Sequence, residues 1–177
     1  AAARDAGSLS MVALPSVDIR RAVRMGLEED LAHGDITTTT LFPEPVPARA
    51  RIIAQQTLVV AGMAAAIQTF IAVDVSLTLT PSRRDGSHAK NGDVLLRIEG
   101  DGRSILMAER VALNFLQHLS GIATLTSRFC HAVHGYPVTI MDTRKTLPGW
   151  RALQKWAVLL GGGTNHRISL GDGILIK

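Results

Sequence analysis

The chain has 177 residues, 46% of them apolar and 19% charged, a globular composition that excludes a disordered chain. Its net charge is +4, with one cysteine and 4% aromatic residues. Those figures exclude an internal disulfide and a cysteine-rich zinc site, and they argue against modules that read nucleic acid by stacking bases on exposed rings.

The single thiol, Cys130, fits a reducing compartment, so the expected location is cytoplasmic. No apolar run approaches the ~18 residues that a membrane helix needs. The Ala-rich start lacks the basic and apolar segments of a signal peptide and reads as an added remnant or a processed start, with Met11 a candidate native start. Residues 1–15 are expected to be a disordered tail. Charge is unevenly distributed: residues 142–177 carry six basic and two acidic groups, whereas the other 141 balance at thirteen each. Such a local cluster suits a small, multiply charged anion better than a duplex, so no nucleic-acid and no membrane partner is expected.

Residues 16–33 read as a helix, with Ile19, Val23, Leu27 and Leu31 recurring every four positions and Gly34 able to close it. The Thr run 37–40 and the Pro-rich stretch 43–47 read as loop. A strand is expected over 49–60, a short helix over 63–73, and strands over 76–80 and 93–99, with turns between them and at Gly100–Gly102. This region is an α+β pattern. The clearest periodicity spans 108–134, where Val111, Phe115, Leu119, Ile122, Thr126, Phe129 and Val133 mark one face of a long helix. Cys130 falls near that face and reads as core. A buried strand at 138–141, a helix from Leu147 to Leu160 and a strand at 174–176 then form a βαβ unit, which demands a parallel sheet. One such unit cannot cover both faces of its sheet, so the chain is expected to be a fragment or to be completed by a partner.

Binding groups of parallel α/β sheets gather where strands end. Here the first strand runs into Asp142-Thr143-Arg144-Lys145-Thr146, the second into Lys177, and Gly161-Gly162-Gly163-Thr164-Asn165-His166-Arg167 lies between. Taken singly, each feature has an ordinary reading: Arg144-Lys145 as solvated surface, the glycines as a helix-ending loop, His166 as a hydrogen-bonded structural residue. Arg110 sits in the first turn of the expected helix, where the dipole disfavours a cation, a hint of another use. Taken together, the basic groups at 144, 145, 167 and 177 are expected to crowd around one anion-binding hollow.

The runs DTRKTLPGW at 142–150, GGGTNHR at 161–167 and ILIK at 174–177, with GLEEDLAHGDITT at 26–38 and ERVALNFLQHLSGIAT at 109–124, closely resemble the quinolinate phosphoribosyltransferases. The resemblance covers roughly residue 20 to the end, and a molybdenum-locus homologue of the family is similar. It implies an α/β (α+β) chain with an N-terminal α/β sandwich at 16–134, including the linking helix 108–134, followed by the start of an open, TIM-like α/β barrel at 135–177. It further implies phosphoribosyl transfer from phosphoribosyl pyrophosphate to quinolinate, giving nicotinate mononucleotide, pyrophosphate and carbon dioxide in NAD biosynthesis. Arg144, His166 and Arg167 would hold the carboxylates. Lys145 and Lys177 would line the site and serve catalysis, Thr143 would lie nearby, and Arg110 would reach the neighbouring subunit of a homodimer. Magnesium is implied, through acidic ligands that this sequence does not contain. The 177 residues are therefore expected to be inactive alone. Two rival readings remain at this level: a non-catalytic dimerisation module and a basic nucleic-acid binder.

Overall fold

The computed structural model describes residues 16–173. The tail 1–15, the strand expected at 174–176 and Lys177 lie outside the described residues. Helix α1 (Ser16–Asp30) buries Ile19, Ala22 and Val23 on one face. Gly34, at φ +76°, closes the following turn by donating its N–H to Leu31 O at 3.0 Å.

The Thr run is a helix and not a loop: α2 (Ile36–Leu41) starts because Asp35 Oδ1 accepts the N–H of Thr38 at 2.8 Å. That cap offsets the poor helix propensity of threonine. Hydrogen bonds from Thr38, its hydroxyl before its N–H, hold the Asp35 carboxyl below the usual carboxylate value.

The strand expected over 49–60 is two strands, β1 (Pro47–Ile53) and β2 (Leu58–Val59). Ala54 is tied back to the far side, donating to Asp93 O at 2.9 Å and accepting from Gly92 N–H at 2.8 Å. The polar Gln55-Gln56-Thr57 bend then carries the chain into a different sheet. Helix α3 (Met63–Val73) has the expected bounds, and β3 (Thr78–Pro81) starts two residues late. β4 (His88–Ala89) occupies a stretch expected to be turn, and β5 (Val94–Asp101) follows. β1, β5 and β3 form one antiparallel sheet in that order, with Pro47 opposite Asp101; β2 and β4 form a second. Asp85 Oδ1 accepts the N–H of Met63 at 2.8 Å, capping α3 from a distant turn. Burial pushes the Asp85 carboxyl up, against the lowering pull of those N–H groups.

Gly100–Gly102 is a strand-to-helix junction and not a free turn. Gly102 opens α4 (Gly102–Ala132), six residues before the expected start. Arg110 thus lies well past the first turn, and the dipole hint about it falls away. Asp101 makes the junction: Oδ1 accepts from Val46 N–H at 3.2 Å and Arg103 N–H at 3.1 Å, while Oδ2 takes the Arg103 guanidinium at 2.9 and 3.0 Å. Arg103, chiefly through its side-chain bond, holds this carboxyl below 3.8. The stabilisation is therefore present above 3.8 and is lost as pH falls through the lowered value. Asp101→Asn should flatten the acid limb of a stability-versus-pH curve; an unchanged limb would assign acid sensitivity elsewhere.

α4 serves two cores. Ile105, Ala108, Ala112 and Leu116 pack with α3 and the three-stranded sheet. Val111, Phe115, Leu119 and Ala123 pack with α1, β2 and α5 (Arg151–Leu160). The periodic face holds from Val111 to Thr126 and then fails, since Phe129 is 54% exposed and Cys130 only half-buried. The helix expected from Leu147 starts at Arg151, with Pro148 three residues ahead of it.

The buried strand expected at 138–141 is absent: Val138 is 55% and Met141 48% exposed. Among the described residues Met141 makes a single parallel bridge, to Thr164. A parallel strand acquires its burial from neighbours on both sides, and among the described residues this segment has one.

Candidate functional site

The floor of the site is a buried ion pair. Lys155, on α5, is 3% exposed, and its ammonium bonds Asp142 Oδ1 and donates to His166 O at 2.9 Å. Asp142 Oδ2 accepts from Asn165 Nδ2 at 2.5 Å, and Oδ1 also accepts the His166 N–H at 2.8 Å. Asn165 Nδ2 is further held by Lys155 O at 2.9 Å. One carboxylate thus binds the end of the 138–142 segment to α5 and to the loop after it. Backbone bonds run parallel to this: Asp142 N–H to Thr164 O at 3.1 Å and Thr164 N–H to Ile140 O at 2.9 Å.

Beyond Asp142 the chain turns sharply. Lys145 N–H donates to Thr143 Oγ1 at 3.0 Å and Thr146 N–H to Arg144 O at 3.0 Å. Arg151 grips the turn from α5, its Nε donating to Thr146 Oγ1 at 3.1 Å and its Nη1 to Ile168 O at 3.1 Å. Gln154 Oε1 accepts the Leu147 N–H at 3.0 Å, and its amide nitrogen lies 2.7 Å from His118 Nε2 on α4. Trp150 stacks on Phe115, centroids 4.7 Å apart, and meets His118 edge-on at 5.3 Å.

Between this turn and α4 lies an open cavity of about 710 Å³, lined by His118, Asp142, Thr143, Lys145, Gln154 and Lys155 among others. Of the site residues expected from sequence, Thr143 and Lys145 line it. Arg144 is half-buried, with its Nε buried and without a partner among the described residues. Arg167 is half-buried and His166 exposed, held by its backbone; neither lines this cavity. Arg110 is exposed on α4. Among the described basic residues, Lys145 and Lys155 line this cavity, and Arg144 and Arg167 do not.

Asp142, Lys155 and Asn165 were not singled out from the sequence, yet a signal exists. Lys155 is the lone charge within Leu153–Leu160, an apolar helical stretch, so it needs a carboxylate if buried. From 142 onward only Asp142 and Asp172 could supply one. The glycine run likewise has a packing reason: a Cβ on Gly161 would lie 2.3 Å from Ala123 O, and one on Gly163 2.9 Å from the Thr126 methyl. These glycines let α5 end against the α4 backbone.

Asp142 also bears on magnesium. Both its oxygens are taken by Lys155, Asn165 and His166, and no group of three or more His, Cys, Asp or Glu side chains converges among the described residues. The described residues thus form no all-protein cage for magnesium, an ion that usually keeps waters and substrate phosphates among its ligands. Nor is any helix among the described residues long and apolar enough to cross a membrane.

Comparison with known proteins agrees in sequence and in fold. The family model described as "Quinolinate phosphoribosyl transferase, N-terminal domain" matches residues 35–120, and that of the C-terminal domain matches 122–177. A quinolinate phosphoribosyltransferase of Nicotiana tabacum is 43% identical over 164 residues, covering 92% of this chain and 46% of its own. The nicotinate-nucleotide pyrophosphorylase of Mycobacterium leprae is 42% identical, covering 89% and 57%. The solved structure of the Francisella tularensis nicotinate-nucleotide pyrophosphorylase superposes with a TM-score of 0.87 at 39% identity, over 92% of this chain and 58% of that one. The chain thus spans about half the length of the curated relatives it matches. With two family models covering most of its residues, the chain belongs to the quinolinate phosphoribosyl transferase family.

Proposed function

We propose that the protein of which these residues form part transfers a phosphoribosyl group to quinolinate. The observation that carries the reading is the Thr143–Lys145 turn, fixed by the Asp142–Lys155–Asn165 network at the mouth of the cavity. Quinolinate is a pyridine with two adjacent carboxylates, so cations must hold it. Arg144 has one guanidinium nitrogen without a partner among the described residues, and Arg167 and His166 lie beyond the same network. These would take the carboxylates, with Thr143 beside them, and Lys145 and Lys177 would line the reacting groups.

The ring nitrogen attacks the sugar carbon of phosphoribosyl pyrophosphate, and pyrophosphate leaves with the bonding pair. Positive charge develops on the ribose, so fixed electrostatics count for more than a covalent nucleophile. The alkylated ring is a pyridinium. Its adjacent carboxylate departs as carbon dioxide, and the electron pair left on the ring carbon takes up a proton. An ammonium at Lys145 or Lys177 would stabilise that developing charge. No step is assigned to magnesium. Arg110, exposed on α4, would serve the site of a second copy in a homodimer, and the single thiol fits a cytoplasmic location.

Calorimetry tests the reading. Quinolinate should bind at least about tenfold more tightly than nicotinate, which lacks the second carboxylate, since one charged hydrogen-bonded contact is worth that much. Arg144→Ala should remove the preference. Equal binding of the two acids would overturn the assignment.

A further inference from the structure

The network around Asp142 fixes one end of the Thr143–Thr146 turn. The other end is held by Arg151 at Thr146 and by a relay through two residues with no assigned role. The Leu147 N–H can only donate, so the Gln154 atom 3.0 Å from it must be the carbonyl oxygen. The other amide atom is then the NH₂ group, also only a donor. It lies 2.7 Å from His118 Nε2, which must therefore be the unprotonated nitrogen of a neutral ring. His118 is itself oriented by the edge of Trp150, 5.3 Å away, and Trp150 is stacked on the buried Phe115. Both His118 and Gln154 line the cavity beside Lys145.

We propose that His118 and Gln154 are positioning residues for the Arg144–Lys145 turn, and that they do so with His118 locked in its Nδ1–H tautomer. The chain of bonds has one polarity: backbone N–H to amide oxygen, amide N–H to imidazole. It anchors the turn to α4, the rigid helix that also carries the core. A proton added at His118 Nε2 would set two donors face to face and break the relay. The charged groups sharing the cavity with His118 are Asp142 and Lys145 on the turn and Lys155 on α5. Asp142 is already engaged by Lys155. The role assigned here rests on the proposed quinolinate site; the geometry does not.

Two measurements separate these. Long-range nitrogen–proton correlation on the 177-residue chain should show His118 as the Nδ1–H tautomer, and the Nε2–H tautomer would overturn the relay without any ligand being present. Amide exchange at Leu147 should speed up about tenfold in Gln154→Met, the loss of one neutral hydrogen bond. Gln154→Glu keeps the acceptor for Leu147 and offers a carboxylate to a protonated His118. It should restore Leu147 protection. Unchanged exchange in Gln154→Met would also overturn the proposal, and should that variant not fold, the tautomer measurement still decides. Quinolinate affinity should fall about tenfold with Gln154→Met. If the relay signatures appear but no variant changes quinolinate binding, the positioning role is overturned; if the unaltered chain binds no quinolinate, it is the site assignment that fails.

Discussion

Replacing Lys155 by Met should destabilise the chain by about 3–5 kcal/mol, the usual effect of removing one partner from a buried ion pair. Met keeps most of the stem volume, so the loss isolates the ammonium. What remains is a carboxylate whose side chain is 7% exposed, retaining Asn165 and the His166 N–H but no counter-charge. Desolvation of that charge is the dominant cost. It exceeds the ordinary net value of a hydrogen bond, about 1 kcal/mol, so charge and not bond count decides the outcome. The double change Lys155→Met with Asp142→Asn should recover much of the loss, because the stranded charge is gone. Urea denaturation of the two single variants and the double variant gives the coupling directly. A cost under about 1 kcal/mol for Lys155→Met would mean that solvent reaches the pair. The same variant should loosen the loop at 165–167, since Lys155 also holds His166 O.

The second large effect is expected at Gly161. Gly161 lies at φ −80°, so alanine suffers no backbone strain there. The obstacle is contact: the added Cβ would lie 2.3 Å from Ala123 O and 2.7 Å from Thr126 Cβ. A backbone carbonyl within α4 cannot rotate aside as a flexible side chain could. α5 would have to move off α4, opening the contact that Leu153 and Ala157 make with the second core. Overpacking of this kind costs about 1–3 kcal/mol, and the backbone contact puts Gly161→Ala at the upper end. Gly121→Ala, within α4, is the counterpart. Nothing lies within 4 Å of its Cβ, so the better helix propensity of alanine should show as a gain of about 1 kcal/mol. Opposite shifts in the two midpoints are expected; a neutral Gly161→Ala would show that the helices are not in close contact there.

These two sites also mark where sequence reading stops. Elements defined by a repeat along one face were legible: α1 and the middle of α4 follow from apolar spacing. Elements defined by one or two particular bonds were not. α2 depends on one Asp35 cap, β2 and β4 on each other across about thirty residues, and the start of α4 on Asp101 reaching both Arg103 and Val46. Burial of Val138–Met141 was expected because apolar runs of that length are central strands in parallel sheets, but the described residues give the segment one bridge.

For the site, the sequence by itself determined the family, through long ordered runs from Asp142 to Trp150 and Gly161 to Arg167, and it determined that positive charge collects after residue 142. Linear order cannot say which of those charges neutralise one another. Only the tertiary structure decided that Lys155 is spent on Asp142, that the glycines serve helix contact, and that His118, 36 residues before Gln154, belongs to the same cavity as Lys145. The physical reason is that a charge's role depends on its partner and its exposure to water, and both are set by packing between elements far apart in the chain.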